Sequence, residues 1–114
     1  MHEGSITQSI MDTVLTTITD ENVTGEVKSV HVTVGVCQGM VPESMQMFFD
    51  MGKPDTPLEH AELIITVQGI VAGCPKCNTE HELDIPVMFC PDCGEPMNLV
   101  KGNEIIISSI EVDV

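Results

Sequence analysis

A doubled cysteine knuckle constrains this chain more than any other feature: Cys74-Pro75-Lys76-Cys77, twelve intervening residues, then Cys90-Pro91-Asp92-Cys93-Gly94. Each Cys-Pro-x-Cys is a tight turn that sends two sulfurs to one side. Two such turns set face to face present four sulfurs at tetrahedral separation, the donor set of a structural zinc site. The spacer is a little shorter than the roughly 15 to 20 residues usual for paired knuckles, and it still holds one antiparallel hairpin. Gly94 follows the second turn and Asn78 the first, each where positive φ is well tolerated.

Other uses of the four cysteines fit less well. Disulfides need an oxidising compartment, and the chain opens Met-His-Glu rather than with a basic, apolar export signal. A redox Cys-x-x-Cys comes singly at the start of a helix, whereas these are paired and flanked by extended, proline-bearing sequence. Iron suits the same four-sulfur geometry, so spacing leaves zinc and iron both open.

The 114 residues make one ordinary domain or a small core with a metal-stapled appendage. A formal charge of −14 with only four Lys or Arg leaves no basic footprint. Nucleic-acid binding is therefore disfavoured despite the ribbon, and cationic or protein partners are favoured. No apolar run approaches the ~18 residues of a membrane helix, so a cytoplasmic protein is expected.

Along the chain, Ile6, Ile10, Val14 and Ile18 recur every four positions with Met11 and Leu15 beside them, the stripe of an amphipathic helix. Ser5 and Gln8 read as a capping box that starts this helix at Ser5. Val30, Val32, Val34 and Val36 alternate with polar residues in a strand whose polar side carries His31. Cys37, with no partner at knuckle spacing, reads as a small buried apolar residue. Pro42 opens a second helix with Met45, Phe48, Phe49 and Met51 as its apolar face, ended by Gly52. Leu63, Ile65 and Val67 begin a strand that runs through Gly69 to the first knuckle. His81 is close enough to the knuckles to be weighed as a ligand, but four thiolates already close the site. After the second knuckle come a short strand at Met97–Val100, a turn at Lys101–Asn103 and a last strand. Its Ile105-Ile106-Ile107 triple reads as covered on both faces. The fold class is α+β: a small three-stranded sheet with two helices (1–70 and 98–114), interrupted by a zinc-ribbon lobe (71–97).

At the N-terminus, Met1-His2-Glu3 sets an α-amine, an amide nitrogen and an imidazole in consecutive chelate rings beside a carboxylate, a donor set suited to Ni(II) or Cu(II). Taken with both knuckles, the helix-strand-helix order and the closing Gly102-Asn103-Glu104 strand, this start resembles the HypA/HybF family, the zinc-containing nickel-delivery proteins of NiFe hydrogenase maturation. The resemblance spans essentially the whole chain. It implies nickel at Met1, His2 and Glu3, and structural zinc at Cys74, Cys77, Cys90 and Cys93. It also implies work with a nickel-binding GTPase and the hydrogenase large-subunit precursor, and no catalysis. The competing readings are a zinc-ribbon adaptor with an idle N-terminus and a rubredoxin-like iron electron carrier.

Overall fold

A computed structural model describes residues 3–85 and 88–113. In chain order the elements are α1 (Glu3–Asp20), β1 (Glu26–Gly35), a 3-10 turn (Val36–Gln38), α2 (Pro42–Gly52), β2 (Glu62–Gln68), β3 (Ile70–Cys74), β4 (Thr79–Leu83), β5 (Asn98–Lys101) and β6 (Ile105–Asp113). The strands form two three-stranded sheets, ordered β2-β1-β6 and β4-β3-β5. The fold is therefore α+β, as the periodicities require. The chain divides into two compact units: Met1–Thr33, Met40–Thr66 and Ile106–Val114 in one, Val34–Gly39 and Val67–Ile105 in the other.

In the first unit the four-residue stripe of α1 is buried at Ile10, Met11 and Val14. Val27, Val30 and Val32 of β1, Met45 and Phe49 of α2, and Leu63 of β2 are buried in the same unit. The helix starts at Glu3, not Ser5, and no capping box forms. Gln8 Nε2 donates instead to Asp12 Oδ1 at 2.8 Å, one turn on. The acidic Glu3 in the first turn complements the helix dipole and supports the earlier start. The exposed threonines, poor helix formers, back-bond to the preceding turn: the hydroxyls of Thr13, Thr17 and Thr19 donate to the carbonyls of Ser9, Thr13 and Leu15.

Pro42 does open α2, and Met45 and Phe49, one turn apart, are fully buried. The apolar face is narrower than the sequence suggests. Met51 is 68% exposed because it lies two residues past Phe49, a rotation of about 200° on a helix of 3.6 residues per turn. Phe48 is also partly exposed, at 37%, with its ring edge packed where a side chain on Gly4 would stand.

β1 ends at Gly35, so Val36 and Cys37 turn out into solvent. Cys37 is thus exposed rather than buried; its N–H donates to Gly102 O at 2.7 Å, which fixes the backbone and leaves the side chain outside. His31 stands on the polar side of β1 as expected, and it is partnered. Its Nε2 lies 2.6 Å from Glu111 Oε1, which also accepts from Ser29 Oγ at 2.9 Å. Glu111 is held below the usual carboxylate range, first by His31 and then by Ser29. β6 is an edge strand, and Ile106 is 49% exposed; the isoleucine triple is covered on one face only.

The strand expected to run unbroken through Gly69 divides there, β2 joining one sheet and β3 the other. β5, which the sequence reading places with the helical lobe, pairs with β3 through Ala72↔Leu99 and Gly73↔Asn98.

Candidate metal centre

The first knuckle is itself the turn of a hairpin. β3 and β4 pair antiparallel from Ile70↔Leu83 to Cys74↔Thr79, so the chain reverses within Pro75–Asn78. Asn78 N–H closes the turn on Cys74 O at 2.8 Å, and Asn78 takes the positive φ (57°) that this geometry demands. The second knuckle repeats the construction. Phe89 bridges Pro96, Gly94 N–H donates to Cys90 O at 2.8 Å, and Gly94 has φ 75°. Among the described residues the spacer carries the returning strand β4.

All four sulfurs, of Cys74, Cys77, Cys90 and Cys93, lie within 4.8 Å of one another. The Cys74 and Cys93 sulfurs are 3.6 Å apart. Four zinc–sulfur bonds of about 2.3 Å in a tetrahedron require sulfur separations of about 3.8 Å, so the quartet has the span the ion needs. Among the described residues no carboxylate or imidazole belongs to the quartet, and Cys74 and Cys90 are only 2% and 3% exposed. A soft, closed, four-thiolate cage fits structural zinc.

The thiols share protons unequally. Cys74 is lowered to about 7, chiefly because Cys77 N–H points at its sulfur at 3.3 Å. Cys77 is raised to about 12, first by its hydrogen bond to the Cys93 sulfur and then by Cys74. At Cys90 burial acts upward, but the backbone N–H groups of Cys93 and Asp92 prevail and the thiol is lowered. At Cys93 the backbone N–H of Glu95 acts downward, but burial and the neighbouring Cys74 prevail and it is raised. A metal entering this cage must expel protons, and its affinity falls as pH falls.

His81 is not one of the four. Its Nε2 lies 3.8 Å from Cys90 Sγ, within reach of a ligand atom rather than in the quartet. Of the N-terminal set, Met1 and His2 lie outside the described residues. Glu3 occupies the first turn of α1, and its Oε2 accepts from Val41 N–H, just ahead of α2, at 3.4 Å. That contact, which the sequence alone could not show, arises where α1 packs on α2.

A helix-bearing α+β unit together with a ribbon closed by four thiolates defines a small two-unit metal-binding protein. The particular kind follows from comparison with known proteins. The family described as "Hydrogenase/urease nickel incorporation, metallochaperone, hypA" matches residues 1–112, and the chain belongs to this family. It is a family of nickel metallochaperones for hydrogenase maturation, not of catalysts. Among relatives, the hydrogenase maturation factor HypA of Chloroflexus aggregans is 34% identical, covering 97% of this chain and 98% of its own. The guanidine hydrolase-activating protein A of a Synechocystis species is 31% identical, covering 97% and 94%. The solution structure of the Ni metallochaperone HypA from Helicobacter pylori has the same fold, with a TM-score of 0.69 at 20% identity over 98% of this chain and 97% of that one. Among the described residues no helix is long and apolar enough to cross a membrane.

Proposed function

We propose that this chain binds Ni(II) through Met1, His2 and Glu3 and passes it to the large-subunit precursor of a NiFe hydrogenase in the cytoplasm, working with a nickel-binding GTPase. Cys74, Cys77, Cys90 and Cys93 hold a structural zinc. One observation carries this reading: the four knuckle sulfurs converge on one another, so a tetrahedral ion uses all of them and the cargo metal must find other donors. The nitrogen-rich Met1-His2-Glu3 run offers the ligands that Ni(II) prefers. A terminal tripeptide with an amine, an amide and an imidazole can surrender its ion to competing ligands, which a transporter needs and a closed cage does not provide.

The excess of acidic residues supports attraction to a basic partner surface, so partner association weakens as salt rises. The resemblance to a guanidine hydrolase-activating protein favours a second acceptor, with a hydrolase in place of the hydrogenase subunit and the same metal chemistry.

The test is calorimetric titration of Ni(II) into the wild type, His2→Ala and a chain extended by one residue ahead of Met1, with zinc assayed in each. His2→Ala abolishes stoichiometric nickel binding, the extension weakens it, and zinc content is unchanged in both. Equal nickel affinity in all three proteins would refute the terminal site.

A further inference from the structure

We infer that His81 is a positioning residue for the four-sulfur site: its imidazole Nε2–H donates a hydrogen bond to the Cys90 thiolate and holds that sulfur on the metal. The inference rests on the reading of the quartet as a metal site, and the residues fit one as described above.

Strand parity puts His81 where it can act. Thr79, His81 and Leu83 alternate along β4 and pair with Cys74, Ala72 and Ile70 of β3, so the His81 side chain shares the face that carries Cys74. Glu80 and Glu82 point to the other face. From that position the imidazole crosses to the second knuckle, with Nε2 3.8 Å from Cys90 Sγ and the side chain only 20% exposed. It therefore ties the returning strand of the first hairpin to a ligand of the second.

The surroundings decide which way the bond runs. Four thiolates on a divalent ion leave a net charge of −2, and Asp92 Oδ2 stands 4.0 Å from the same nitrogen. A bare lone pair on Nε2 would face anionic sulfur on one side and a carboxylate on the other. A proton there meets acceptor sulfur and carboxylate oxygen, and the Thr79 hydroxyl at 3.1 Å, which serves either tautomer, accepts from it as well in this arrangement. Hydrogen bonds to charged acceptors are the strong ones, and groups just outside the ligand sphere typically change metal affinity about 10–100-fold when removed. An N–H donor also withdraws electron density from sulfur, making the thiolate less basic and less reactive.

The experiment compares wild type, His81→Phe and His81→Gln, loaded with zinc or with cobalt. Phe preserves a ring without a donor, whereas Gln restores an N–H at similar reach. In His81→Phe the sulfur-to-cobalt charge-transfer band moves to lower energy, and zinc passes to a competing chromophoric chelator about tenfold faster. His81→Gln recovers much of both. Superimposable spectra and chelator rates in wild type and His81→Phe would overturn the inference, as would nitrogen NMR of the wild-type zinc protein showing Nε2 unprotonated. A wild-type cobalt spectrum of three sulfurs and one nitrogen would overturn it by making His81 a ligand. A wild type with no thiolate-to-cobalt band would remove the metal site itself, a failure distinguishable from the others.

Discussion

Replacing Cys90 with Ser tests whether the ribbon unit depends on its metal. The buried cluster around the sulfurs consists of Ala72, Cys74, Cys90 and Met97, so two of its four members are themselves knuckle cysteines. Burying Met97 contributes about 1.5–3 kcal/mol and Ala72 about 0.8 kcal/mol, with smaller contributions from the half-buried Leu83 and Met88 packed against them. A structural zinc contributes about 10–16 kcal/mol to the folding of comparable units, several times the apolar term. Losing one of four ligands should therefore cost the ion at chelator concentrations that the wild type withstands, and with the ion the order of β3, β4 and β5. The helical unit keeps its own core of Val14, Val30, Val32, Met45 and Phe49 and should persist. Amide hydrogen exchange by NMR, with zinc assayed on the same sample, reads both units at once. In Cys90→Ser, protection is expected to vanish across Ile70–Cys74 and Thr79–Leu83 and to remain in α1 and α2. A zinc-free variant with protected β3 and β4 amides would show that packing alone holds the ribbon, and the argument would fail.

Further outcomes follow from the same structure. A Cβ at Gly35 would overlap the Gly102 carbonyl, whereas one at Gly69 meets nothing within 4 Å; Gly35→Ala should cost about 3 kcal/mol and Gly69→Ala little, read as the difference in urea midpoint. Thr7 is fully buried and its Oγ1 lacks a hydrogen-bond partner among the described residues, so Thr7→Val should raise stability by about 1–2 kcal/mol in the same assay. Because Glu111 is held below its ordinary range, its contribution is present above about pH 4.3 and lost as pH falls through the lower folded value. Urea titrations across acid pH should show the gap between wild type and Glu111→Gln closing there, and a gap that widens on acidification would contradict the His31–Glu111 pairing. Glu3→Gln keeps an acceptor for Val41 N–H but loses the charge, whereas Glu3→Ala loses both; calorimetry should find nickel binding weakened in both variants on the proposed terminal site, and thermal stability slightly lowered in both, because each loses the first-turn charge that complements the helix dipole.

The elements that were legible in the sequence are those whose cause is local. The four-residue spacing of Ile6, Ile10, Val14 and Ile18 needs only a helix with one buried side, and Pro42 marks a helix start by its own fixed φ. Asn78 and Gly94 announce their turns because a positive φ is a property of a single residue. The misreadings share the opposite character. Whether the isoleucine triple is covered on two faces depends on what packs against each face of the sheet, and Ile106 is left 49% exposed between half-buried Ile105 and Ile107. Cys37 is exposed because β1 stops at Gly35, where the Gly102 backbone approaches too closely for any side chain. That approach comes from a segment far along the chain. Gly69 permits a break between sheets, but only the pairing of β3 with β4 and β5 makes it one.

The same division runs through the knuckle cysteines and the N-terminal run. The converging sulfurs could be picked out because each knuckle carries its pair within four residues, and closure needs only that the two turns meet. The role of His81 could not, since it depends on the register Ala72↔His81 and on Cys90 arriving from the other turn. Glu3 shows a third case, a residue whose local motif and tertiary contact make different claims on one carboxylate. Its bond to Val41 N–H is long, at 3.4 Å, and exposed, so it is worth less than the ~0.5–1.5 kcal/mol of a well-formed hydrogen bond. On the proposed terminal site, nickel would draw the carboxylate away at small cost, because α2 keeps its Pro42 start and its buried Met45 and Phe49 without it. The contact parks the carboxylate without locking it, which is compatible with the proposed role of Glu3 as a ligand gained on loading and lost on delivery.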